Sequence, residues 1–238
     1  MKLDILVFGA HPDDIELSCG GTIISHIQKG YKVGVVDLTQ GELGTRGTPE
    51  LRAKEATNAS ALLGLSVREN LGFRDGWFTA DESHQMEIIK MIRKYRPEIV
   101  LANAKYDRHP DHGRGAQVVD EAFFKAGLKM IPSSIDGEEQ EAWRPKKLWN
   151  YIQSVSLEPD FYVDISEHID QKMQAVKAYA SQFYSEGEEG PQTYISSKNF
   201  MEMLTARSKE YGQRINVNYA EGFSQSQPSG IKNLFDLL

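Results

Sequence analysis

Two copies of one tripeptide set the chemistry available to this chain: His11-Pro12-Asp13, extended by Asp14, and His109-Pro110-Asp111, extended by His112. At this length and composition, chance supplies about 0.01 copies of His-Pro-Asp. Imidazole and carboxylate are the expected ligands of zinc or a similar divalent ion, and a catalytic ion takes three protein ligands and keeps one position open. The available pool is His11, Asp13, Asp14, His109, Asp111 and His112. A pair three residues apart, His11 with Asp14, can chelate from one turn at a helix start, with His112 as the third ligand. Asp13, His109 and Asp111 then stay off the metal. A spare carboxylate such as Asp13 suits removal of a proton from water. His109 suits stabilisation of an oxyanion or protonation of a leaving amine, with Asp111 to orient and charge it. Two histidines and one carboxylate also suit non-haem Fe(II), so the ligand set leaves zinc and iron both open.

Either motif alone would serve equally well as a tight turn or a helix N-cap. The elements around them argue for a shared site. Residues 3–8 read as a buried strand and 15–29 as a helix ended by Gly30. Residues 31–38 form a second strand, followed by a glycine-rich loop over 40–48. A helix then opens at Pro49 and runs to about residue 63, stopped by Gly64. Strands are expected at 67–71 and 98–103, and helices at 82–95 and 113–126. Such alternation indicates an α/β fold, with a mostly parallel sheet covered by helices on both faces. Each motif follows a strand and precedes a helix, which places both at the carboxyl ends of parallel strands, where open α/β sheets bind ligands.

The pattern is less regular beyond about residue 130. A polar exposed loop is expected over 133–141, strands at 147–154 and 161–165, helices at 166–183 and about 199–211, and a turn at 186–191. No linker divides the chain, so one domain over 1–238 is expected, with a core to about residue 130 and a C-terminal α/β elaboration from about 131.

Composition removes several classes. Lys and Arg number 27 against 34 Asp and Glu, a formal charge of −7, and no basic run exceeds two residues, which argues against nucleic acid as a partner. The longest apolar run is about six residues against the roughly 18 that span a bilayer, so no membrane helix is expected. The motif at residue 11 stands too near the N-terminus to survive removal of a leader, and the single cysteine, Cys19, cannot form an internal disulfide; both fit a cytoplasmic protein. Cys19 reads as a buried small hydrophobe, because no base is placed for it. The loop over 41–47 lacks the ending of a P-loop and reads as a flexible rim of the site. His26, His84 and His168 read as surface or packing residues. Trp77 and Phe78 suit either a sugar-binding wall or subunit packing.

The AHPDD of residues 10–14 and HPDH of residues 109–112 resemble the motifs of the LmbE/PIG-L-like zinc-dependent N-acetylglucosaminyl deacetylases. The resemblance continues through LTQGELGTRGTPELRAKEA (38–56), RHPDHGRGA (108–116), TYISS (193–197) and AEGF (220–223), and is strongest to the bacillithiol-biosynthesis branch. It implies a Rossmann-like fold and hydrolysis of N-acetylglucosaminyl malate to glucosaminyl malate and acetate. It further implies His11, Asp14 and His112 as zinc ligands, Asp13 as general base, and His109 supported by Asp111. The malate carboxylates need local cations in an acidic protein, and Arg forks match carboxylates. The resemblance favours Arg52 and Arg108 as those cations, and adds Tyr194 near the reacting carbonyl. Arg52 reads equally well as a solvated helix residue paired with Glu55. Family members commonly assemble, so a homo-oligomer is expected, with residues 225–238 (ending LFDLL) suited to an interface. The competing expectations are deacetylation of another N-acetylated sugar or small molecule, and a non-catalytic metal- or sugar-binding module.

Overall fold

The computed structural model describes residues 1–184, 190–231, 233 and 235. The expected turn at 186–191 and the LFDLL end therefore lie mostly outside the described residues.

Nine strands and six helices follow one another along the described chain: β1 (Ile5–Gly9), α1 (Asp14–Gln28), β2 (Val33–Thr39), α2 (Pro49–Leu63), β3 (Val67–Phe73), α3 (Glu82–Tyr95), β4 (Ile99–Ala102), α4 (Pro110–Ala126), β5 (Ser134–Ile135), β6 (Glu138–Glu139), β7 (Lys147–Tyr151), β8 (Phe161–Asp164), α5 (Ile169–Lys177), α6 (Lys198–Arg214) and β9 (Ala220–Gln225). Seven strands form one sheet in the order β3-β2-β1-β4-β7-β9-β8. The strands from β3 to β7 run parallel, and β9 lies antiparallel between β7 and β8. This is the expected α/β sheet, with the chain reversing its direction of strand addition between β1 and β4.

Alternation along the strands builds a core on each face. Leu6, Phe8, Val36, Leu38 and Val100 point toward Ile88, Ile92, Val118 and Val119 of α3 and α4. Their neighbours Ile5, Val7, Val33, Val35 and Leu101 pack on the other face against Ile15, Cys19, Ile23 and Ile24 of α1. A third cluster joins Ala56 and Ala59 of α2 to Val176 of α5 and to Phe200 and Leu204 of α6. Strands buried on both faces read as continuous apolar runs, which is why residues 3–8 stand out in the sequence.

The ends of α2 follow local chemistry: the Thr48 side chain accepts the Leu51 N–H, Pro49 opens the helix, and Gly64 closes it in the left-handed region at φ 80°. Asp81 caps α3 by accepting from the N–H groups of Ser83 and His84. Other boundaries differ from expectation. The fourth helix begins at Pro110, not 113, so the second motif lies inside its first turn with His109 as N-cap. The loop over 133–141 contains the β5–β6 hairpin, turned by Asp136 and Gly137 at φ 54° and 83°, an Asp-Gly signal for a tight hairpin. The helix expected over 166–183 is limited to α5. Phe78 is 1% exposed in the core beneath α3, not a sugar wall, whereas Trp77 is 66% exposed.

The first helix is broken and repaired from afar. Cys19 adopts φ −136° and ψ 17° inside α1, which frees N–H groups of the next turn. Gly21 donates to Glu221 Oε1 at 3.0 Å and Thr22 to Oε2 at 2.7 Å, both from β9. Lys172 of α5 closes the arrangement at 2.7 Å from Glu221, with both side chains 2% exposed. A Cβ on Gly21 would meet Ile165 at 2.8 Å, so only glycine lets α1 approach there. Cys19 itself is fully buried and burial raises its thiol pKa, which suits packing and not nucleophilic chemistry. Removing one partner of a buried ion pair leaves an uncompensated charge. Lys172→Met is therefore expected to lower stability by about 3 to 5 kcal/mol in urea unfolding; a loss below about 1 kcal/mol would show that Glu221 does not depend on the lysine.

Candidate active site

The parallel pairing of β1 with β4 sets Ile5 beside Ile99 and Val7 beside Leu101. The loops leaving the two carboxyl ends therefore start side by side, and they carry His11–Asp14 and Asp107–His112. His11, Asp13, Asp14, Asp111 and His112 are all less than 9% exposed, and His109 is half-buried. The expected convergence of the two motifs is what the structure shows.

Asp14 stands between the two outer histidines. Its Oδ2 lies 3.7 Å from His11 Nδ1 and its Oδ1 3.0 Å from His112 Nε2. Bonds of 2.0 to 2.1 Å in a tetrahedron separate ligand atoms by about 3.3 Å, and both Asp14 contacts lie close to that spacing. The remaining ring nitrogens point to outer carboxylates. His112 Nδ1 meets Asp107 at 2.6 Å, while His11 Nε2 meets Asp75 at 3.1 Å and Asp111 at 3.3 Å. A carboxylate behind a ligating imidazole fixes its tautomer and raises its basicity. Asn103 and Gln153 donate to the two oxygens of Asp14 at 2.9 and 3.1 Å.

Electrostatics favour a cation in the same place. Burial disfavours charge on His11, yet the surrounding carboxylates, led by Asp111 and Asp75, hold its pKa up at about 10. His112 is likewise held at about 9 against burial, chiefly by Asp14 and Asp107. The same histidines hold Asp14 far below the ordinary carboxylate range despite its burial. A bound dication replaces the protons that the imidazoles otherwise carry. Nitrogens of His11, His109 and His112 also lie within 4.8 Å of one another. Ligand atoms of His11, Asp75 and Asp111 do so as well, so His11 is common to both of these groupings.

Asp13 occupies the N-cap position of α1 yet makes no capping hydrogen bond, and its backbone sits at φ 121°, ψ −27°. A non-glycine residue at positive φ costs of order 1 to 3 kcal/mol and persists only where its surroundings enforce it. The enforcement comes from Arg52, whose Nη2 donates to Asp13 Oδ2 and to the Pro12 carbonyl, each at 2.6 Å. Burial raises Asp13 to about 7, against the pull of Arg52. Arg52 is thus not the exposed partner of Glu55; it lines the cavity while paired with Asp13. It is 5% exposed and occupied by Asp13, while Glu55 accepts from Ser181.

Asp111 also differs from expectation. Its carboxylate accepts from Gly76 N at 2.8 Å and from Arg114 at 2.5 Å and faces His11, whereas His109 receives only the Asp111 backbone N–H, at Nδ1 and 3.3 Å. An accepting Nδ1 places the proton of a neutral ring on Nε2. Burial and the neighbouring His11 and His112 lower the His109 pKa, so its ring favours a neutral donor.

A cavity of about 360 Å³ opens over these groups, lined among others by Arg108, Tyr194, Gln153, Phe200 and Arg207. Leu43 to Arg46 of the glycine-rich loop form one rim, as expected from sequence. Arg108 and Tyr194, both expected at the substrate, meet there, with the guanidinium 4.5 Å from the ring centre. Asp75, Asp107, Asn103, Gln153 and Arg207 were not legible as site residues. Asp75 and Asp107 each follow a parallel strand's carboxyl end, the one signal that pointed to them.

Comparisons with known proteins show the family. The profile described as PIG-L: GlcNAc-PI de-N-acetylase matches residues 6–123, a span that contains both motifs. Diacetylchitobiose deacetylase of Thermococcus kodakarensis is 30% identical over 234 residues, covering 92% of this chain and 81% of that protein. The chain belongs to the PIG-L/LmbE family. It is accordingly a deacetylase, and thus a hydrolase. A probable N-acetyl-alpha-D-glucosaminyl L-malate deacetylase 2 of Bacillus anthracis is 27% identical, covering 75% of this chain and 81% of its own. The crystal structure of a conserved protein from Thermus thermophilus is 37% identical and superposes with a TM-score of 0.87 over 98% of both chains.

Outer carboxylates of metal-ligating histidines are worth 10- to 100-fold in affinity. Asp107→Asn is expected to weaken divalent-metal binding by that factor in chelator competition, and an unchanged affinity would remove Asp107 from the role. His109→Ala is expected to retain the ion and Asp14→Ala to lose it; the reverse pattern would put His109 in the ligand set.

Proposed function

We propose that this PIG-L/LmbE member is a zinc-dependent N-deacetylase that hydrolyses the acetamido group of N-acetylglucosaminyl malate, releasing glucosaminyl malate and acetate. The observation that carries the reading is the buried His11–Asp14–His112 cluster with Asp13 beside it, at the floor of a cavity of about 360 Å³. The probable malate deacetylase of Bacillus anthracis supports the malate conjugate in particular.

When bound, zinc supplies Lewis acidity to the acetamide oxygen and to water. Asp13, with a pKa of about 7, is matched to taking a proton from the attacking water near neutral pH and returning it to the departing amine. Arg52 holds that carboxylate in place. His109 presents an Nε2 proton to the oxygen that gains charge as the carbonyl is attacked, a stabilising hydrogen bond in the sense of an oxyanion hole. Asp75, Asp107 and Asp111 keep the two ligand imidazoles oriented. Arg108, exposed at the cavity mouth and stacked on Tyr194, faces the part of the substrate beyond the sugar.

The spare carboxylate and imidazole distinguish this site from a metal-storage or sugar-binding module, which requires neither. Asp13→Asn is expected to retain the metal and lose at least about 100-fold in kcat. Acetate release from N-acetylglucosaminyl malate is expected to exceed that from N-acetylglucosamine and diacetylchitobiose in kcat/KM. Equal or greater turnover of diacetylchitobiose would overturn the malate assignment and leave the deacetylase chemistry intact.

A further inference from the structure

The three carboxylates behind the His11 and His112 imidazoles share one construction: each also accepts a backbone N–H from a loop beyond a strand's end. Asp107 turns Oδ2 to His112 and takes the Val155 N–H on Oδ1 at 2.7 Å. Asp111 takes the Gly76 N–H on the oxygen that faces His11. Asp75 turns Oδ1 to His11 Nε2 and takes the Leu43 N–H on Oδ2 at 2.9 Å. This last contact is returned, because the Asp75 N–H donates to Glu42 Oε1 at 2.7 Å. Two hydrogen bonds running in opposite directions thus clamp the loop over 41–47 to a residue that orients His11.

The same loop is seated at both ends. Gly41, at φ 65°, lies too close to the Arg52 guanidinium to admit a Cβ, and a Cβ on Gly47, at φ 75°, would meet Ser181 Oγ at 2.8 Å. Gln182 donates to the Arg46 carbonyl at 2.6 Å. Leu43 to Arg46 line the cavity, whereas Glu42 is exposed and outside the lining. Glu42 bonds to Asp75 and not to a proposed ligand, so its hold on the ion passes through Asp75. A carboxylate behind a ligating imidazole fixes the ring only as firmly as it is itself held.

We propose that Glu42 is a positioning residue for the metal site. It acts through Asp75: with the Leu43 N–H it aims that carboxylate at His11, so that seating of the loop over 41–47 and binding of the ion reinforce one another. The proposal deepens, and rests on, the metal-dependent reading of the site. Coupling of this kind is reciprocal, so the ion holds the loop as the loop holds the ion.

The test uses the full chain, zinc, and the variants Glu42→Ala, Glu42→Gln and Asp75→Asn. Glu42→Ala is expected to weaken zinc binding by about fivefold or more in chelator competition, while Glu42→Gln, which removes the charge and keeps the accepting oxygen, stays within about twofold of wild type. An unchanged affinity in Glu42→Ala would overturn the proposal. An equal loss in Glu42→Gln would do so too, by showing an effect of charge and not of position. A second readout needs no Glu42 variant: in the wild-type protein zinc is expected to slow amide exchange across 41–47 by about fivefold or more, and in Asp75→Asn at saturating zinc by less than about twofold. Zinc that protects the starts of α1 and α4 and leaves the loop unprotected would refute the coupling alone. Failure of the wild-type protein to bind zinc in equilibrium dialysis would refute the metal-dependent reading and the coupling with it.

Discussion

The parallel hydrogen bonding of β1 to β4 is the constraint on which the site depends. These strands are neighbours in the sheet but lie some ninety residues apart in the chain, because the topology places β2 and β3 on one side of β1 before crossing back. The crossing leaves two loops diverging from adjacent strand ends. One brings His11, Asp13 and Asp14, and the other Asp107, His109, Asp111 and His112. Asp75 joins them from the loop after β3 and ties His11 Nε2 to the backbone of Leu43.

The second organising principle is charge. Five carboxylates surround the His11 and His112 imidazoles, and among the described residues Arg52 and Arg114 form ion pairs with two of them. The imbalance is local: the carboxylates hold the pKa of both histidines up against burial. Arg108 and Arg207 line the same cavity, the first against the Tyr194 ring and the second against the Gln153 carbonyl.

Much of this was legible in the sequence, for reasons that can be named. Helices α2 and α3 match their expected limits because Pro49, Gly64 and Asp81 act on their own neighbours. The convergence of His11–Asp14 with His109–His112 was legible because these residues lie in two short motifs that each follow a parallel strand. The misreadings concern partners far away along the chain. Arg52 was weighed against Glu55, three residues on, whereas its true partner Asp13 is 39 residues back. Asp111 was placed on its own motif's histidine and instead serves His11, 100 residues earlier. Strand β9 escaped notice because AEGFSQ alternates poorly and contains glycine, and its place is set by pairing on both sides with β7 and β8. Asp107, Gln153 and Arg207 sit in segments whose local pattern is ordinary, and only the fold gives them a common address.

The mended break in α1 has a consequence for the order in which the molecule can be completed. The N–H groups of Gly21 and Thr22 are satisfied by a carboxylate about 200 residues downstream. A nascent chain that has synthesised both motifs, β1 and β4 therefore still lacks the group that secures the helix directly behind Asp14. The loop before that helix is held by Arg52, Asn103 and Gln153, whereas the turn at Gly21 and Thr22 waits for the final strand of the sheet.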